Sequence, residues 1–166
     1  MIGLPNSNLN TLKADLDFIL SAKPDHISAY ILKLEENTLF YKNRDTLNLP
    51  DEDETAEQYL FMCRYLEEGS FSHYEISNFA QPGYEAVHNS AYWRHVPYVG
   101  LGPGAHSLID CRSRQWNLPD LQAYIADPAS VRESETLDEE QQVLEKIMLA
   151  LRTDEGISAS FLDEHC

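Results

Sequence analysis

The sequence predicts an α/β fold built from parallel βαβ units. Two observations carry this expectation. Apolar, β-branched runs alternate with longer segments of helical periodicity, in the order strand, helix, strand, helix, strand. Such alternation argues for parallel strands joined by helical crossovers. The central run, residues 26–34, is apolar on both faces except at Ser28 and Lys33, which suits a sheet covered on both sides.

Each element follows from its residues. Ile2-Gly3-Leu4-Pro5 reads as the end of a buried strand entering a turn, so the chain is expected to begin inside a strand. Leu9, Leu12, Leu16, Ile19 and Leu20 form one stripe of an amphipathic helix. Asn10 or Thr11 is the expected cap, and Lys23-Pro24 the stop. Strand 26–34 is followed by a polar connection up to Pro50. Residues 51–68 read as a second helix that buries Ala56, Leu60 and Cys63, flanked by Tyr59, Met62 and Leu66. Its N-terminal acids suit the helix dipole, and Gly69 is placed as a C-cap.

Residues 71–76 are the next expected strand. Beyond Ser77 the regularity is lost. Pro82-Gly83 is a turn, and Tyr84, Tyr92, Trp93 and Tyr98 form an aromatic cluster. Residues 105–109 read as strand. Asn117-Leu118-Pro119 is expected to open a short helix running through Tyr124, with proline in its first turn. The polar stretch 127–136 reads as a linker, dividing residues 1–126 from 137–166. Helix 137–153 should bury Val143, Leu144, Ile147, Met148 and Leu151, each worth roughly 1.5–3 kcal/mol on burial. Residues 157–166 then start something that stops short, so the chain is expected to be cut at both ends.

Composition bounds function. The 166 residues carry 12 Lys+Arg against 28 Asp+Glu, a net charge of −16, with 43% hydrophobic residues. The apolar fraction excludes wholesale disorder. So acidic a surface repels phosphate backbones and anionic lipid, which argues against nucleic-acid and membrane-surface binding. No apolar run approaches the roughly 20 residues of a membrane helix, and the start lacks the features of a signal peptide. Cys63, Cys111 and Cys166 are odd in number, far apart and without a C-x-x-C pair, so reduced thiols in the cytoplasm are expected.

Two stretches could carry chemistry. Gly100-Leu101-Gly102-Pro103-Gly104-Ala105 formally fits G-x-G-x-x-A. Pro103 removes an amide that a pyrophosphate would use, and strand rather than helix follows, so dinucleotide binding is disfavoured. Two readings remain for these glycines: backbone approaching a ligand, or a sharp bend. The other stretch is His88-Asn89-Ser90-Ala91-Tyr92-Trp93. On a helix His88 and Tyr92 share one face, and Asn89 and Trp93 another. A histidine beside large aromatics suits a planar, iron-bearing ligand; it equally suits an aromatic cluster with a hydrogen-bonded histidine. The remaining histidines form no zinc-type pair, and there is no G-x-S-x-G.

Taken together these segments resemble the oxygen-independent coproporphyrinogen oxidase-like radical SAM proteins. The resemblance runs through residues 1–5, 24–30, 34–40 and 49–53. It is strongest in His73-Tyr74-Glu75-Ile76-Ser77-Asn78-Phe79-Ala80 and in His88-Asn89 with Tyr92-Trp93, and continues through residues 100–107. Residues 137–156 are similar to the start of that family's C-terminal helical domain. The H-N-x-x-Y-W signature points to the heme-chaperone branch rather than to the oxidase.

The resemblance implies a fold, ligands and roles. The fold is the C-terminal part of a radical SAM (β/α) partial TIM-type barrel, followed by the start of a helical domain. Heme would be held by His88, Asn89, Tyr92 and Trp93, with His88 as the iron ligand. Tyr30, Gly102, Gly104, Ala105 and His106 would form a wall of the S-adenosylmethionine pocket. The full-length parent would also carry a [4Fe–4S] cluster, built on a C-x-x-x-C-x-x-C motif that none of the three cysteines here matches. This chain alone is therefore not expected to perform radical chemistry. Its partners would be heme or porphyrin and recipient apo-hemoproteins, and an exposed strand edge would favour self-association. The alternatives are an oxidase that decarboxylates coproporphyrinogen and a non-catalytic interaction module.

Overall fold

The computed structural model describes residues 1–130 and 132–165. Cys166, read above as a reduced thiol, lies outside the described residues. The chain divides into two compact units, Met1–Glu85 and Ala86–Cys166.

In the first unit, helix α1 (Leu9–Ser21) is followed by β1 (His26–Ser28), a short helix α2 (Leu39–Lys42) and a 3-10 turn (Arg44–Thr46). Helix α3 (Glu52–Glu68) leads to β2 (Ser72–Glu75) and β3 (Asn78–Ala80). The cap of α1 is Asn8, whose side chain accepts from the amides of Asn10 and Thr11. Those two residues, expected as caps, are already helical, and Thr11 closes the capping box. Asp51 and Glu54 form the same box on α3.

The sheet corrects the purely parallel expectation. Its order is β1-β3-β2, with β3 antiparallel to both neighbours. β1 and β2 still run the same way, so α3 remains a crossover, but β3 lies between them. The cause is local: the Glu75 carboxylate accepts from the Ser77 amide at 3.0 Å, and the chain reverses there. A parallel contact survives at Ile2 and Ile31. The expected strand 26–34 is regular only over His26–Ser28.

The core of this unit gathers Ile2, Leu12, Leu16, Ile27, Met62, Cys63, Leu66, Phe71 and Phe79. The buried face of α3 is Gln58, Met62, Cys63 and Leu66; Ala56 and Leu60 are exposed, contrary to expectation. The helix meets α1 along its 58–62–66 line, which turns Leu60 to water. An apolar cleft of about 210 Å³ is lined by Met1, Leu12, Leu16, Phe18, Ile19 and Ile27 among others.

The second unit comprises α4 (Val87–Trp93), β4 (His106–Leu108), β5 (Ser113–Asn117), α5 (Leu121–Ala126), β6 (Arg132–Thr136), α6 (Glu139–Ala150) and α7 (Ala159–His165). β4, β5 and β6 form an antiparallel sheet in that order. Two sequence readings are corrected here. Asn117 ends β5 rather than opening a helix, and Asp120 caps α5 instead, accepting from the Ala123 amide. Residues 132–136, read as linker, pair with β5 along its whole length: alternating Arg114–Glu135 and Trp116–Glu133 contacts hold a strand with no apolar signal.

Helix α6 is capped by Asp138 with Gln141. None of its residues is buried. Leu144, Met148 and Leu151, expected in a core, are 67%, 54% and 68% exposed. They lie at i, i+4 and i+7, one solvent-facing apolar row.

Candidate functional site

Helix α4 holds the H-N-x-x-Y-W residues. It ends in a Schellman turn: the Val96 amide donates to the Ala91 carbonyl at 2.9 Å and the His95 amide to the Tyr92 carbonyl at 3.1 Å. His95 occupies the left-handed position of that turn, at φ +56°, where glycine is usual.

The motif presents two faces. On one, His88 Nε2 and the Tyr92 hydroxyl share a hydrogen bond of 2.9 Å, and the rings meet edge-on. Tyr92 in turn packs edge-on against Tyr98, with centroids 4.5 Å apart. Tyr98 is fixed by two backbone hydrogen bonds to Leu108 of β4. Burial raises its phenol pKa, and the neighbouring Tyr92 adds to this. His88 itself is exposed, so its imidazole is open to a ligand once the Tyr92 hydroxyl yields.

On the other face, Asn89 Nδ2 and Trp93 Nε1 are buried donors with no hydrogen-bond acceptor among the described residues. The Arg152 guanidinium lies over the Trp93 ring, 4.9 Å from its centre. Arg94 pairs with Glu155, which holds that carboxyl below its ordinary range.

Beside α4 lies a charged cluster. Arg114 on β5 pairs with Glu145 of α6 and with Glu135 of β6. His95 Nε2 stands 3.3 Å from the second oxygen of Glu145, without hydrogen-bonding geometry. Burial pushes the His95 pKa down and the Arg114 charge pushes it further.

The glycine stretch explains itself by geometry. A Cβ on Gly100 would fall 2.1 Å from the His106 carbonyl oxygen, and the Gly100 amide donates to Ser107 Oγ at 2.9 Å. Gly102 and Gly104 adopt φ of +106° and +72°. The Gly102 amide donates to the Tyr124 hydroxyl, and its carbonyl accepts from Asn117 Nδ2, each at 2.9 Å. Ala105 and His106 lead directly into β4, where the exposed His106 ring stacks on Trp116. Tyr30 belongs to the first unit and is 54% exposed.

That first unit also carries a polar sheet face that sequence reasoning missed. Ile27 and Ala29 are buried, while His26, Ser28 and Tyr30 alternate with them. His26 Nε2 meets the Tyr74 hydroxyl at 2.9 Å. Ser28 donates to Asn78 Oδ1 at 2.5 Å, and Asn78 Nδ2 donates to the buried Glu75. The period-2 alternation at 26–30 was the available signal. Arg152, Arg114 and Glu145 had none, because their contacts with α4 and its flank are long-range.

Heme fits α4 in kind: an accessible imidazole, flanking aromatics and two unsatisfied donors. Among the described residues no three His, Cys, Asp or Glu are grouped to hold a metal ion. Cys63 is buried in the first core and Cys111 lies on an exposed turn.

No protein-family model matches the chain. Curated proteins do. The heme chaperone HemW of Lactococcus lactis is 35% identical over 158 residues, 93% of this chain and 41% of that protein. HemW of Bacillus subtilis is 35% identical over 164 residues, 95% of this chain and 43% of its own length. A mitochondrial radical S-adenosyl methionine domain-containing protein 1 of Danio rerio is likewise 35% identical, over 95% of this chain and 38% of its own. Among solved structures, the Escherichia coli coproporphyrinogen III oxidase HemN, a radical SAM enzyme, superposes with a TM-score of 0.74. It covers 98% of this chain and 41% of HemN at 14% identity, a likeness of fold. The chain thus spans about two-fifths of the relatives it matches. Over nearly its whole length the chain is thus similar in sequence to HemW heme chaperones, and in fold to HemN.

Proposed function

We propose that this chain is the heme-binding portion of a heme chaperone, with iron held by His88 and the macrocycle flanked by Tyr92. The observation that carries the reading is the exposed His88 imidazole, presented on α4 and buttressed by the Tyr92–Tyr98 pair. His88 would hold the iron through Nε2, the nitrogen that now meets the Tyr92 hydroxyl. Asn89 and Trp93, on the neighbouring face of the helix, would contact the same ligand through their unpaired donors. When bound, heme supplies the redox-active iron; the residues of this chain bind and orient it.

In the whole protein, S-adenosylmethionine and a [4Fe–4S] cluster would be bound as well, in the cytoplasm. Within the second unit, Gly102, Gly104, Ala105 and His106 would line part of the S-adenosylmethionine pocket. In support, a Cβ on Gly102 would meet nothing within 4 Å, leaving room for a ligand. No helix among the described residues is long and apolar enough to cross a membrane.

Delivery to apo-hemoproteins is the activity that this site would serve. The chain, loaded with hemin, is mixed with an apo-globin and the holo-globin Soret band is followed. Transfer from the wild-type chain, and no loading of His88→Ala, is expected. A chain that takes up no hemin, or that never releases it, contradicts the reading.

A further inference from the structure

We propose that Arg152 anchors a propionate carboxylate of the bound tetrapyrrole, and so sets both its orientation at α4 and the selection of carboxylate-bearing macrocycles. This deepens the heme reading above and rests on it. Three observations converge on one end of α4. Arg152 has no carboxylate partner among the described residues, whereas Arg94 and Arg114 in the same unit are each paired with glutamates. Its guanidinium lies over Trp93, a residue of the H-N-x-x-Y-W motif, and its side chain is exposed. Trp93 Nε1 and, one turn away on the same face, Asn89 Nδ2 are buried donors without acceptors.

Around Trp93 the chain therefore offers a cation without a carboxylate partner and two unpaired donors, while the nearby Glu155 carboxylate is taken up by Arg94. A carboxylate is an acceptor-only anion whose two oxygens match the guanidinium fork. A tetrapyrrole with propionates joins such carboxylates to a flat apolar body. His88 and Trp93 are five residues apart, about 7.5 Å along the helix axis and about 140° around it, so a ligand with iron at His88 reaches the Trp93 side through a flexible propionate arm rather than through its ring edge. The net charge of −16 makes a local cation necessary: the summed field of the chain repels a dianionic ligand. Arg152 supplies the opposing charge where the motif sits.

The experiment titrates hemin and hemin dimethyl ester into the wild-type chain, Arg152→Ala and Arg152→Lys, following the Soret band, with circular dichroism melts to verify folding. For Arg152→Ala the expected result is about tenfold weaker binding of hemin, as for loss of one charge-assisted contact, with ester binding within about twofold of wild type. Arg152→Lys recovers part of the hemin affinity. An equal loss for acid and ester means that Arg152 only packs on Trp93, and overturns the proposal, as does no loss for either. If the wild-type chain binds neither hemin nor its ester, the heme reading itself fails, which the Arg152 variants alone would not reveal.

Discussion

His88 Nε2 and the Tyr92 hydroxyl lie 2.9 Å apart, one turn along α4, so the nitrogen offered to iron is held by a phenol in the ligand-free chain. Heme binding through this nitrogen would cost that hydrogen bond. Tyr92→Phe removes the competitor while keeping the ring that packs on Tyr98. With a net hydrogen bond worth about 0.5–1.5 kcal/mol, the variant should bind hemin roughly two- to tenfold more tightly. Titration of the two proteins side by side measures this; weaker binding by the variant would show that the hydroxyl assists the ligand instead.

Gly100 is fixed by a backbone approach. A methyl group there would sit 2.1 Å from the His106 carbonyl, a contact neither chain segment can relieve by a rotamer change. Gly100→Ala should cost about 2–3 kcal/mol, in the range of overpacked sites, read from urea unfolding. A loss below about 0.5 kcal/mol would mean that the bend relaxes freely.

The His95 pKa is lowered in the folded chain, by burial first and by Arg114 second. A histidine depressed on folding contributes stability that is full above its unfolded pKa of 6.5 and is lost as pH falls through the folded value. The groups facing it are Arg114 on β5 and Glu145 on α6, with Glu135 of β6 reached through Arg114. The melting temperature should therefore fall as pH is lowered below about 6.5, and His95→Gln should flatten that fall. Equal pH dependence in both proteins would remove His95 from the account.

Self-association is expected to rise with salt. Phe18 is 75% exposed beside the apolar cleft of the first unit, and α6 shows water the row Leu144, Met148 and Leu151. The net charge of −16 opposes contact between copies, through repulsion screened over about 8–10 Å near physiological ionic strength. Sedimentation velocity across a salt series tests this; a monomer at every salt concentration contradicts it.

What the sequence made legible follows from the range of the forces involved. The stripe Leu12–Leu16 and the end of α3 at Gly69 were readable because periodicity and caps are local. The strand β6 was not: Arg132–Thr136 has no buried residue and is held by β5 partners remote in sequence. β3 was lost for a different reason: the two-residue reversal at Ser77 rests on a side-chain contact, the carboxylate folding back from Glu75, with no glycine or proline to mark the turn. At the site, the grouping of His88 with Tyr92 could be read from helical spacing. Tyr98 was visible only as one member of an aromatic cluster, and its contact with Tyr92 depends on its bridge to Leu108. Of the burial expected for α6, Val143 and Ile147 are half-buried while Leu144, Met148 and Leu151 face water, because an amphipathic pattern states which face is apolar, not how much of it a partner covers.

The central claim is that α4 presents His88 to heme iron, and hemin titration of the wild-type chain, His88→Ala and His106→Ala tests it most directly. The account predicts a saturable Soret shift for wild type and for His106→Ala, no shift for His88→Ala, and unchanged circular dichroism in all three. A His88→Ala titration identical to wild type would contradict it, and would return His88 to an aromatic cluster with a hydrogen-bonded histidine.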